Sequence, residues 1–153
     1  MSIKTKSIPV LEAQIYVKKW QSENSATNKK GGLKHAKAFL IPAGDLIDCL
    51  IEMEILKDLS CINTSLVDSA GIRAYMGIDR PASDDMQSAE TEKLVLVATT
   101  KEVDGTNKII HRDIIEGYDI KNPPPHKLIG TGIFDFTDPC PTTCDPNSPL
   151  YNP

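Results

Sequence analysis

The sequence predicts an α+β fold: a four- to five-stranded, mainly antiparallel sheet with two helices on one face and an extended Pro-rich C-terminal arm. Residues 1–136 form the single domain and residues 137–153 the arm. Three observations lead there. Apolar residues recur at helical spacing in two segments, and alternate or run continuously in several others. An Asp-Gly turn signal joins two apolar runs, which marks an antiparallel hairpin. The last seventeen residues, Thr137 to Pro153, hold five prolines and two cysteines, which exclude a regular helix or a central strand.

The first helix is expected from Ser7 to Trp20. Ser7 would cap it, and Pro9 is tolerated in the first turn. Val10, Ala13, Val17 and Trp20 share a face, with Leu11 and Ile15 beside them, and Lys18 and Lys19 would fall in the last turn. After a polar loop, Ala36 to Ile41 reads as a short strand that Pro42 ends. Asp45 to Leu59 reads as the second helix, with a wide apolar face from Leu46 to Leu56 that should bury Leu46, Leu50 and Met53. Cys49, beside Leu50, is expected to be a small buried residue.

Residues 60–69 read as a connection. Ala70 to Ile78 alternates cleanly as a strand, Ile72, Ala74, Met76 and Ile78 on one face, Arg73 and Tyr75 on the other. Lys93 to Thr100 is apolar on both faces, as a central strand is. Asp104-Gly105 then turns the chain into a strand over Lys108 to Ile115. Asn122-Pro-Pro-Pro-His126 is a rigid connector, and Leu128 to Phe136 is a last, glycine-kinked strand.

Composition narrows the function classes. With 153 residues the chain is the size of one domain, and at this length roughly 70% of the unfolded surface can be buried without a disulfide or metal. A net charge of −4 argues against nucleic acid as a partner, because phosphate binding needs a basic face. The start of the chain lacks an apolar signal region, and no stretch approaches the ~20 apolar residues of a membrane span. A cytoplasmic protein is expected, with non-classical export left open, and no membrane partner.

Three groups of residues are candidates for a site. Leu150 and Tyr151, after Pro149, form an apolar pair near the end of a proline-stiffened arm, and this pair is expected to dock on something. Cys140 and Cys144 form a C-x-x-x-C pair, a candidate for redox chemistry or metal, although no second pair completes a zinc signature. Arg73 and Tyr75, with His111, Arg112 and Asp113 on a strand that follows, could bind an anion or polarise a carbonyl. The plainer reading of Arg73 is a sheet-surface residue, with Arg73→Ala changing stability by under ~1 kcal/mol. No cofactor, metal or catalytic motif is present: the glycines of Gly130-Thr-Gly132 lack the pattern of a phosphate loop.

The run Gly71-Ile-Arg-Ala-Tyr-Met-Gly-Ile-Asp79, then Leu94-Val-Leu-Val97, Ile133-Phe-Asp-Phe136 and Pro139-Cys-Pro-x-x-Cys144, resembles in that order small uncharacterised proteins of Bacteroidota-type bacteria with a Cys/Pro-rich ending. That resemblance implies a bacterial origin and a similar sheet core. It carries no activity, so no residue role transfers from it.

The functional expectation is a non-catalytic binding or self-assembly module, a homo-oligomer or filament, whose arm docks on a neighbouring subunit or another protein. The alternatives are a small enzyme or anion-binding protein using Arg73, Tyr75 and His111, and a metal or redox protein using Cys140 and Cys144.

Overall fold

In a computed structural model, residues 7–25, 35–79, 92–115 and 131–135 are described, and they form an antiparallel sheet with three helices. The elements in chain order are α1 (Val10–Glu23), β1 (Ala38–Pro42), α2 (Ala43–Glu52), α3 (Thr64–Val67), β2 (Ala70–Ile78), β3 (Glu92–Val103), β4 (Ile109–Asp113) and β5 (Ile133–Phe134). The strand order is β1-β2-β3-β4, and β5 also pairs with β3. All four pairings are antiparallel, so the fold is α+β.

The doubly apolar run becomes the central strand. β3 pairs with β2 along nine positions, and on its other side takes β4 at Thr99–Val103 and β5 at Leu96 and Val97. The β3–β4 hairpin turns at residues 104–108. Asp104 Oδ1 accepts the backbone N–H groups of Thr106 and Lys108 at 2.8 and 3.0 Å. Asn107 takes the left-handed conformation at φ 61°, which Asn tolerates better than most residues.

Residues paired directly across neighbouring strands share a face. Leu40, Arg73 and Val97 therefore stand on one face, together with Gly71, Thr99 and Asp113, and with Tyr75 and Val95. α1 packs on this same face. Ala13 joins Val95, Val97 and Ile133 in the core, with Tyr16, Val17 and Tyr75 against them. Gly77 lets the helix approach: a Cβ placed there would stand 3.1 Å from Tyr16 Cβ. The expectation of an open sheet face carrying Arg73 and Tyr75 is thus corrected. Small residues at the contact admit the helix, and the polar groups beneath it satisfy one another.

Several boundaries move for physical reasons. Ser7 does not cap α1; Pro9 is the N-cap, without a side-chain hydrogen bond. Ser7 pairs instead with Phe134, and its Oγ accepts from the Thr131 backbone N–H at 3.0 Å, tying the start of the chain to β5. α1 runs on to Glu23, so Lys18 and Lys19 lie short of its last turn. Asn24 closes the helix, its side-chain amide donating to the Trp20 carbonyl at 3.0 Å.

α2 stops at Glu52 rather than Leu59. Glu54 takes φ 58°, and the N–H groups of Ile55 and Leu56 fold back to the Leu50 carbonyl. No residue of α2 is fully buried, Met53 is 59% exposed, and Cys49 is exposed. Its apolar face outruns the cover available at the sheet edge, where β1 and β2 are its neighbours. The connection after it contains the short helix α3. Gly132, at φ 78°, supplies the kink before β5.

Candidate functional site

Strand alternation places Arg73 and Tyr75 on the α1 side of β2, and the hairpin register brings Asp113 of β4 to the same face. Arg73 Nη1 donates to Asp113 Oδ1 at 2.5 Å and to the Tyr75 hydroxyl at 3.3 Å. Its Nη2 donates to the His111 carbonyl at 2.6 Å. The Tyr75 hydroxyl donates in turn to Asp113 Oδ2 at 2.5 Å. Burial raises the Tyr75 pKa above its ordinary value, and the hydrogen bond to Asp113 adds to the shift. Burial works against the Arg73 cation, but Tyr75 and Asp113 together hold its pKa above the usual one. The cluster is a charge-neutral unit in which each member partners another.

The structure divides the residues singled out in the sequence. Arg73, Tyr75 and the His111 backbone come together. Arg112 faces the other side of the sheet, where its Nε donates to Glu102 at 2.8 Å. His111 lines a separate cavity of about 290 Å³ with Leu40, Pro42, Gly44 and Lys101. Its Nδ1 is buried and has no hydrogen-bond partner among the described residues. Asp113, the hub of the cluster, is distinguished from its neighbours only by register: Thr99 opposes Asp113, and Thr100 opposes Arg112.

Beside the cluster lies a cleft of about 510 Å³ between α1 and the sheet. One flank of α1 forms a wall, from Val10, Ala13, Gln14, Val17, Lys18 and Gln21. The floor comes from Tyr75, Val95, Val97, Asp113, Ile115 and Ile133. Apolar side chains dominate, and Asp113 and Tyr75 supply polarity at the floor. Size and lining match a site that takes an apolar group with one or two hydrogen bonds; such sites are typically ~300–1,000 Å³. Beyond Gln14 and Lys18, on the outer flank of the helix, Leu11 and Ile15 are 74% and 63% exposed. The helical phase of Gln14, Lys18 and Gln21, one step round from the core stripe, was the sequence signal for this wall.

No family model matches the chain, and no curated protein or solved structure matches it. Cys49 and Cys61 are exposed free thiols. Among the described residues no three His, Cys, Asp or Glu side chains gather as metal ligands. No helix among them is long and apolar enough to cross a membrane. Cys140, Cys144, Pro149, Leu150 and Tyr151 lie outside the described residues, as do the connector at 122–126 and residues 128–130 and 136 of the expected last strand.

Proposed function

We propose that the protein is a non-catalytic binding and self-assembly module, a homo-oligomer whose C-terminal arm docks on a neighbouring subunit. The observation that carries this reading is the exposed apolar surface on either side of α1: the apolar cleft between the helix and the sheet, and, beyond Gln14 and Lys18, Leu11 and Ile15 on the outer flank of the helix. Exposed apolar patches rimmed by polar residues mark interaction sites. The two strands that are outermost among the described residues also expose apolar side chains, Leu40 and Ile109 on the α1 face and Phe39 and Ile110 on the opposite one. Outer strands offer unpaired backbone groups to a partner.

The polar cluster favours binding over catalysis. The charge of Arg73 is met by Asp113, and the Tyr75 hydroxyl already donates to that carboxylate. An enzyme or anion-binding protein built on Arg73, Tyr75 and His111 would have to break this unit before its substrate could use it. The reading includes a cytoplasmic location in a Bacteroidota-type bacterium, with another copy of the chain as the partner.

Light scattering on the full chain and on a chain ending at Thr137 tests the proposal. The full chain should give a multiple of its 16.8 kDa monomer mass, and the shortened chain its own, smaller monomer mass. Two monomers of equal stability would end the assembly reading.

A further inference from the structure

We infer that the cleft between α1 and the sheet is the receptor for the arm of a second copy, and that Leu150 and Tyr151 are the side chains it takes. The inference rests on the assembly reading above and adds the site and its occupant. Three observations support it.

The first is chemical fit. The floor of the cleft suits an occupant with an apolar body and one hydrogen-bond donor. Val97, Ile115, Ile133 and Val17 offer aliphatic contact. Each Asp113 oxygen accepts one bond within the cluster, Oδ1 from Arg73 and Oδ2 from Tyr75. A carboxylate oxygen accepts more than one, so Asp113 keeps capacity for a further donor but offers none itself. Leu150 supplies the aliphatic group and the Tyr151 hydroxyl the donor. An anionic or purely apolar occupant would leave that acceptor unused.

The second is size. At about 510 Å³ the cleft suits a pair of side chains better than a broad protein face. It is the kind of pocket into which a short peptide places its anchors while the rest of the peptide lies outside.

The third is reach, which favours a second copy over the chain's own arm. The arm follows β5, and Ile133 of β5 lines the cleft. Its root is therefore at the edge of the cleft in its own chain. Pro139, Pro141, Pro146 and Pro149 favour an extended arm, and polyproline geometry advances ~3.1 Å per residue. Over residues 136–149 that is roughly 43 Å, about three times the ~14 Å radius of gyration of a domain this long. Extended over that length, an arm that starts beside the cleft would have to reverse completely to enter it. The same arm reaches a neighbour's cleft without reversing, and two copies can exchange arms about a two-fold axis.

Complementary variants of the full chain test the inference. Gln14→Trp fills the mouth of the cleft from an exposed helix position, and Lys18→Trp does the same from the next turn should the first variant fold poorly. Tyr151→Ala removes the anchor and leaves the cleft alone. Each variant by itself should dissociate at concentrations at least about tenfold above the parent, read by sedimentation. A one-to-one mixture of the cleft variant with the arm variant should recover pairs, because one intact arm and one intact cleft remain. Parent-like assembly of both cleft variants overturns the cleft as receptor while the assembly reading stands. Failure of the mixture to pair overturns the exchange of arms. A monomeric parent whose melting temperature falls on Tyr151→Ala, independent of concentration, places the arm in its own cleft and overturns both readings.

Discussion

Arg73 and Asp113 should prove strongly coupled, and a double-mutant cycle measures by how much. Their side chains are 24% and 13% exposed, which sets the pair between two known regimes. An exposed ion pair contributes ~0–1 kcal/mol, while stranding one partner of a fully buried pair costs about 3–5 kcal/mol. Asp113→Leu leaves the guanidinium without its counter-charge and the Tyr75 hydroxyl without its acceptor. Arg73→Met leaves the carboxylate held by Tyr75 alone. Each single change should cost about 2 kcal/mol, the intermediate value for a half-shielded pair. The double variant strands no charge, so it should cost much less than the two losses added together. The expected coupling is about 1–2 kcal/mol, inside the range for residues sharing one network. Urea unfolding of the four proteins gives these values. Trp20, buried and the chain's single tryptophan, is the fluorescent reporter. Additivity within ~0.5 kcal/mol would refute the network.

Gly77→Val should destabilise by about 1–3 kcal/mol as an overpacked contact under α1, since even a Cβ would stand 3.1 Å from Tyr16 Cβ; an unchanged melting temperature would mean the helix is not seated there. Ile78→Ala, at a buried position, should cost about 2–5 kcal/mol. Leu50→Ala, on a helix with no buried residue, should cost clearly less, and equal losses in thermal melts would contradict the half-open placement of α2. Tyr16 and Tyr75 both have pKa values raised above 10.0, chiefly by burial, with Glu12 and Asp113 as their hydrogen-bond acceptors. A raised folded-state pKa gives stability that is complete below the unfolded value of 10.0 and is lost as pH rises through the folded one. Thermal melts should therefore decline above pH 10, with Tyr16 and Tyr75 ionising late by ultraviolet absorption; ionisation of every tyrosine of the folded protein at the ordinary value of 10.0 would contradict this.

The elements legible in the sequence were those whose pattern carries its own geometry. β2 alternates without interruption, and its observed bounds are those the alternation implies. β3 is apolar on both faces and occupies the centre. Asp104-Gly105 marks the hairpin, although the left-handed residue is Asn107. The misjudged features depend on tertiary cover. Met53 and Ile55 continue the apolar phase of α2, but the chain turns at Glu54 and leaves them exposed. Ser7 is a good capping residue by type, yet Thr131 and Phe134 bind it more than a hundred positions away, a contact that local preference cannot reveal.

The candidate site was half legible for the same reason. Arg73 and Tyr75 follow from alternation along one strand. The role of Asp113, and the departure of Arg112 to the far face, follow from a hairpin register set by a loop. A shift of one residue would exchange the two. The cleft required knowing which sheet face α1 covers, and the open face predicted for Arg73 and Tyr75 was the covered one.

The most direct test of the account is a photo-crosslink from the arm. A photoreactive phenylalanine analogue replaces Tyr151 in isotopically heavy chains, which are mixed with light chains carrying the native residue and irradiated, and the adducts are mapped by mass spectrometry. The account predicts heavy-to-light adducts concentrated on the cleft, at Val10 to Gln21 of α1 and at Val97, Ile115 or Ile133 of the floor. Adducts confined within single heavy chains, or adducts between chains that fall elsewhere on the surface, would contradict it.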